Sequence, residues 1–220
     1  MRVRGATASE ATFEQLLEAA RRLSAKGARR ILGLTGAPGA GKSNLADALV
    51  TALAPDAILV PMDGFHLAQA ELARLGRLER KGAPDTFDAA GYVKLIRRLR
   101  DPGEDLVYVP AFDRKIEEPI AGAIAVPSDV PLVVTEGNYL LLETEPWRAL
   151  RELLDEVWFL DPGDDLRVER LIARHVAFGK STEAARTWSL GPDQHNADLV
   201  RSTRVRADRI VRVVLEGMGG

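Results

Sequence analysis

The segment Gly36-Ala37-Pro38-Gly39-Ala40-Gly41-Lys42-Ser43 concentrates residues whose types and spacing can bind phosphate. It follows the G-x-x-x-x-G-K-[ST] pattern known as Walker A. Glycines let a backbone turn tightly, so that successive N–H groups converge on phosphate oxygens. A helix beginning there adds its unpaired donors and the positive end of its dipole. Lys42 can reach the β- and γ-phosphates, and the Ser43 hydroxyl can coordinate Mg2+. The plainer alternative is a Gly-rich turn with a solvated lysine. An apolar run before the glycines and a helical pattern after them favour the phosphate cradle. The motif alone does not separate a kinase from an ATPase or GTPase.

Other groups supply candidate acid–base and recognition chemistry. Asp63 follows a short apolar run, where open α/β sheets meet their ligands. It can accept a proton from a substrate hydroxyl or help arrange Mg2+, or simply stabilise the Asp63-Gly64 turn. Glu136 ends the run Val133-Val134-Thr135 and can hold a magnesium-bound water, or cap the next turn. Asn138 can donate to a ligand. His66 can touch substrate or pack locally. Lys81, in Arg80-Lys81-Gly82-Ala83-Pro84, offers charge to substrate or phosphate, and Phe112-Asp113-Arg114 pairs an apolar face with polar handles. Arg167, Arg170 and Arg174 share a helix face that could close over nucleotide. Their acidic neighbours Asp164, Asp165 and Glu169 support a salt-bridged surface helix instead. His195 and Asn196 are acceptor-side candidates. Most of Trp147, Trp158 and Trp188 are expected in the core.

Elements that would position these groups alternate between helical and strand-like periodicity, which predicts an α/β layer architecture. Helices are expected over Ser9–Ala25, Gly41–Leu53, Leu67–Leu75, Asp88–Leu99, Trp147–Leu154, Asp164–Phe178 and Thr182–Leu199, the last interrupted near Gly191-Pro192. Strands are expected over Arg30–Leu34, Ala57–Pro61, Leu132–Thr135, Val157–Leu160 and Ile210–Leu215. Leu106–Pro110 and Ile124–Val126 read as short strands flanking an irregular charged excursion. One domain over 1–220 is expected, with an N-terminal helical extension at 1–28 and a lid with acceptor-side helices over 164–200.

Bulk composition narrows the class of function. The chain has 220 residues, of which 46% are hydrophobic and 28% charged, with 30 basic and 32 acidic side chains. That balance offers no electrostatic footprint for nucleic acid or an anionic membrane, so neither is an expected partner. Zero cysteines and three scattered histidines exclude disulfides, thiolate chemistry and a conventional zinc cluster. No apolar run reaches spanning length and no apolar signal segment is evident, so a cytoplasmic enzyme is expected. A homodimer is compatible with this composition.

From about residue 29 to 216 the sequence resembles the phosphoribulokinase/uridine kinase family of P-loop kinases, including its bacterial pantothenate kinase relatives. The resemblance rests on Gly36–Ser43, Met62-Asp63-Gly64-Phe65-His66, Arg80–Asp88, Phe112-Asp113-Arg114, Thr135-Glu136-Gly137-Asn138-Tyr139 and the arginine-bearing segment Arg170–Phe178. It implies a three-layer P-loop fold: a mostly parallel sheet flanked by helices, with a helical lid. It implies ATP and Mg2+ as cofactors, and transfer of the γ-phosphoryl group to a hydroxyl of a sugar, nucleoside or related metabolite. Asp63 becomes the preferred base, Glu136 a magnesium-side or acceptor-binding carboxylate, and Arg170 and Arg174 phosphate-binding lid residues. The 112–114 region departs from the pantothenate kinase pattern, and the Tyr-Asp-Phe base-recognition stretch of uridine kinases is absent. Small bacterial members named as sugar, fructose or nucleoside kinases are the nearest in pattern. A nucleoside monophosphate kinase and a non-kinase ATPase or switch are the rival readings, whereas a GTPase lacks its Asn-Lys-x-Asp motif.

Overall fold

The computed structural model describes residues 8–25, 27–101 and 103–214. In chain order the elements are β1 (Ser9–Ala11), α1 (Phe13–Ser24), β2 (Arg30–Thr35), α2 (Lys42–Leu53), β3 (Ala57–Pro61), α3 (Gln69–Arg74), α4 (Ala89–Arg100), β4 (Leu106–Asp113), β5 (Glu118–Pro127), β6 (Leu132–Glu136), α5 (Leu150–Leu153), β7 (Glu156–Leu160), α6 (Asp164–Ala177), α7 (Thr182–Leu190), α8 (Pro192–Ser202) and β8 (Arg209–Val213). Six strands form one sheet in the order β1-β8-β7-β2-β6-β3, and every neighbouring pair is parallel. Parallel strands need crossover connections, so helices cover both faces and the strands read as continuous apolar runs. β6 shows this plainly, with all five residues buried.

Alternation along each strand divides the core into two layers. Ile31, Val133, Val157 and Phe159 point to one face, where they pack with Tyr92, Ile96 and Leu99 of α4. Leu32, Leu34, Val134, Trp158 and Leu160 point to the other, where α1 and α2 supply Leu16, Leu23, Leu45 and Leu49. Fully burying a side chain of this size contributes about 1.5–3 kcal/mol, so these two layers hold the sheet firmly between its helices. Trp147 and Trp158 are core residues as expected, while Trp188 is half-buried on a cleft wall.

Two stretches differ from the sequence reading. The helix expected over Ser9–Ala25 begins only at Phe13, because Thr12 closes a capping box with Gln15, and Ser9–Ala11 pairs with β8 instead. Within the expected 1–28 extension, residues 1–7 and 26 lie outside the described residues, as does Leu215 of the last expected strand. The supposed excursion between two short strands is one long antiparallel hairpin, β4–β5, whose pairing runs from Leu106↔Pro127 to Asp113↔Glu118. Pro110, Pro119 and Gly122 disguise it in sequence. A two-stranded ribbon has free edges that tolerate prolines, and a register shift between Val109 and Ala111 absorbs Pro110.

Candidate active site

The Gly36–Ser43 loop joins the buried end of β2 to the first turn of α2 at the C-terminal edge of the sheet. Two glycines are dictated by contact as well as conformation. A Cβ on Gly36 would meet the Leu160 carbonyl at 2.6 Å, and one on Gly39, where φ is 84°, would meet the Arg167 carbonyl at 2.5 Å. The loop is therefore wedged between the end of β7 and the first half of α6. Ala37 and Ala40 are buried in it, and Pro38 faces the cleft beside Lys42 and Ser43. Lys42 is buried, and its Nζ donates to the carbonyls of Gly36 (2.9 Å) and Ala37 (3.2 Å). Burial lowers its pKa, with Glu136 opposing and Arg174 reinforcing that shift.

Asp63 and Glu136 reach the same edge because their strands are neighbours, with Pro61 opposite Glu136 in register. Glu136 is buried and its Oε1 accepts from the Ser43 hydroxyl at 3.2 Å. Burial, then the nearby Asp63 charge, push its carboxyl up to about 7, against the pull of Lys42 and Ser43. Behind it, Thr135 bridges the Tyr92 hydroxyl (2.6 Å) and the Val60 carbonyl (2.5 Å), fixing β6 against β3 and α4. Asp63 lies in a 3-10 turn, Met62–Phe65, and its Oδ2 accepts from Arg114 Nη2 at 3.1 Å.

These groups line one cleft of about 480 Å3. The β4–β5 hairpin forms its far wall with Phe112, Arg114 and Glu117, and the 66–87 segment adds His66 and Lys81. Lys81 Nζ bonds the Glu117 carbonyl (2.7 Å) and carboxylate (3.2 Å) and sits 5.0 Å above the Phe112 ring. Asn138 lies on the floor, and Tyr139 Oη donates to the Gly82 carbonyl to hold the 78–87 segment down.

Helices α6–α8 supply the third wall. Arg174 lines the cleft, where desolvation and then the Arg114 charge lower its pKa, partly offset by Asp193, Asp63 and Glu136. Arg170 lies over the phosphate loop, its Nη1 3.4 Å from where a Gly41 side chain would begin. Arg167, on the same stripe, is buried beneath the loop and bonds Pro38 O (3.4 Å) and Gln194 (2.5 Å), so its role is structural. Asn196 lines the cleft, but its neighbour His195 is exposed outside it, since adjacent residues on α8 face different ways. Sequence reasoning gave no partner to His175, which bonds Asp193 at 2.7 Å, or to Lys180, which it read only as part of a lid hinge at Gly179-Lys180-Ser181 and which sits 4.6 Å above the Trp188 ring. Both pairs join α6 or its end to the next two helices, and only the fold brings them together. Among the described residues, no group of three or more metal-ligating side chains occurs, and no helix is long and apolar enough to cross a membrane.

No protein-family model matches the chain. It is 35% identical to the ATP-dependent kinase-like protein notR' of Aspergillus versicolor, over 68% of this chain and 92% of that protein. It is 34% identical to the uncharacterized protein YggC of Escherichia coli, over 86% of this chain and 80% of that one. Among solved structures, one from Silicibacter sp. TM1040, provisionally named a fructose transport system kinase, superposes with a TM-score of 0.82 at 36% identity, covering 91% of this chain and 98% of that chain. YFH7 of Saccharomyces cerevisiae shares the fold at 18% identity, with a TM-score of 0.79 over 94% of this chain and 100% of that chain.

Sheet, phosphate loop and relatives together define a P-loop kinase. The chain belongs to the phosphoribulokinase/uridine kinase-like family, and its activity is ATP-dependent phosphorylation of a hydroxyl on a small molecule.

Proposed function

We propose that the acceptor hydroxyl is activated by Asp63 and that the acceptor is a sugar or related polyol. The observation that carries this reading is the meeting of the Asp63 carboxylate with Lys42 and Ser43 of the phosphate loop in one cleft. A hydroxyl acceptor needs a base within hydrogen-bond reach, whereas a phosphate acceptor does not. Asp63 accepts the hydroxyl proton as the oxygen attacks the γ-phosphorus and the bond from that phosphorus to the β–γ bridging oxygen breaks. Lys42 and the loop N–H groups hold the β- and γ-phosphates, and Arg170 and Arg174 neutralise charge on the transferring group.

Mg2+ fits the donors present: the Ser43 hydroxyl and the Glu136 carboxylate are hard oxygen ligands already 3.2 Å apart. Two protein oxygens suit an ion that fills its remaining positions with phosphate and water. Ser43 would hold it directly and Glu136 directly or through water, and when bound it neutralises phosphate charge. Asp63, paired with Arg114, is better placed for the proton than for the metal. On the acceptor side His66, Lys81, Phe112, Arg114, Asn138 and Asn196 form the walls, and His195 has no part. Residues 164–200 act as the lid of one kinase domain, working in the cytoplasm.

The test is ADP release from Mg-ATP across sugars, polyols, nucleosides and pantothenate, with product mass as confirmation. One strongly stimulating polyol, and loss of turnover in Asp63→Asn with ATP binding retained, is the expected result. Stimulation by a nucleoside monophosphate, unaffected by Asp63→Asn, would overturn it.

A further inference from the structure

His66 is held in one orientation and one tautomer. Its backbone pairs with Phe87, and its ring lies between Phe87 and Phe112, with centroids 4.0 Å and 4.8 Å away. Nδ1 stands 2.9 Å from the Asp63 carbonyl oxygen. A carbonyl can only accept, so Nδ1 carries the proton and donates. The other nitrogen, Nε2, has no hydrogen-bond partner among the described residues, yet it is not sealed from solvent, and His66 lines the cleft. Charged groups around the ring are Asp63, Lys81 and Arg114. Burial between the two phenyl rings is the largest influence on the imidazole and favours its neutral form, with Lys81 and Arg114 acting the same way and Asp63 opposing. In the neutral ring with Nδ1 protonated, Nε2 is a hydrogen-bond acceptor only.

Each cation on this wall is anchored to a carboxylate, Arg114 to Asp63 and Lys81 to Glu117. Beside the reacting centre stand two acceptors, the second Asp63 oxygen and His66 Nε2, both on residues that line the cleft. An acceptor-only pair is complemented by two donors on the ligand. Taking Asp63 as the base, and so resting on the reading above, we infer that the substrate presents two neighbouring hydroxyls, one phosphorylated at Asp63 and the other donated to His66 Nε2. The substrate class is then a diol-bearing sugar or polyol, and His66 is the residue that reads the second hydroxyl. A lone alcohol leaves Nε2 desolvated and unpaired against the bound substrate, which is how a site built for a hydroxyl rejects the analogue lacking it.

The experiment uses matched acceptors: glycerol, ribitol, D-ribose and D-fructose, each beside the single-deoxy analogue lacking the hydroxyl next to the one that product NMR shows to be phosphorylated. With the unaltered enzyme, kcat/KM should fall by about tenfold or more from polyol to deoxy analogue. His66→Leu should lower turnover of the polyol while leaving the deoxy analogue nearly unchanged, so the pair becomes level. His66→Gln, which can place an amide oxygen near the Nε2 position, should keep part of the discrimination. ATP affinity, measured by calorimetry, should be unchanged in both variants. If His66→Leu has lost ATP binding, the comparison is made on His66→Gln, which must narrow the gap without closing it. Equal kcat/KM for the matched pair in the unaltered enzyme, or discrimination that survives loss of the imidazole, overturns the inference while leaving the kinase reading intact. Phosphorylated product from none of the acceptors counts against the Asp63-centred reading itself.

Discussion

The two ends of the parallel sheet carry carboxylates in opposite states. At the N-terminal edge, Asp155 accepts from the Ile31 N–H (2.8 Å), Arg30 (2.8 Å) and Arg100 (2.9 Å). Burial works against its charge, but those donors outweigh it and hold the carboxyl below its ordinary value. Asp208 is bound in the same way, by the Val157 N–H (2.7 Å) and Arg151 (2.6 Å). At the C-terminal edge, Glu136 is buried with one hydroxyl donor and a raised pKa, and Asp63 has a single arginine. Saturated acids tie strands together. Under-satisfied ones keep bonding capacity for ligands, at a cost that the saturated edge offsets.

Substitutions can break that contrast, beginning with the largest effect. Asp63→Asn should reduce kcat by about 10²–10⁴-fold, the usual contribution of a general base, with ATP affinity and melting temperature little changed. Coupled ADP release, calorimetry and thermal melts read the three quantities. Arg174→Ala should cost about 10- to 100-fold in kcat through lost charge stabilisation, while His195→Ala, outside the cleft, should be neutral in the same assay.

Glu136→Gln sharpens the comparison because its two effects have opposite signs. Activity and Mg2+ dependence should fall, yet the nucleotide-free protein should melt a few degrees higher at pH 8. A carboxyl whose folded pKa lies above its unfolded value stabilises the fold at low pH and loses that contribution as pH rises through about 7. Glutamine removes the loss, so melting curves of the two proteins should converge near pH 4. A melt at pH 8 that is lower for the variant would show that Glu136 is saturated after all.

Asp155→Asn is the counterpart, expected to cost about 1–3 kcal/mol in urea unfolding with kcat per folded molecule unchanged. Asp155 has a depressed folded pKa, so its contribution is present above the unfolded value and lost as pH falls through the folded one. The stability gap between the two proteins should therefore be full at pH 7 and close only in acid.

The sequence makes one edge far more legible than the other. Phosphate-loop residues are adjacent in the chain and their geometry is local, so Gly36–Ser43 could be read directly. Asp63 and Glu136 could be placed because each ends an apolar run in a parallel sheet. The third wall resisted, since His175 meets Asp193 across 18 positions and Lys180 meets Trp188 only once α7 folds back. His195 misled because a polar pair on a helix turns about 100° per residue, and only one partner can face the cleft. The hairpin was hidden because its exposed strand Ile120-Ala121-Gly122-Ala123 lacks the alternation that marks a half-buried one.

The pairing of β1 with β8 also governs the order in which the protein can be made. Ser9 donates its hydroxyl to the Ile210 carbonyl across 201 positions of chain, and Ala11 stands opposite Val213. During synthesis β1 emerges early but has no sheet partner until residues beyond 209 leave the ribosome. This long-range pairing thus closes after β2, β6, β3 and β7 are all available, a topology that slows folding. A nascent chain that ends before β8 holds the whole phosphate loop but lacks the strand that pairs with the β7 edge.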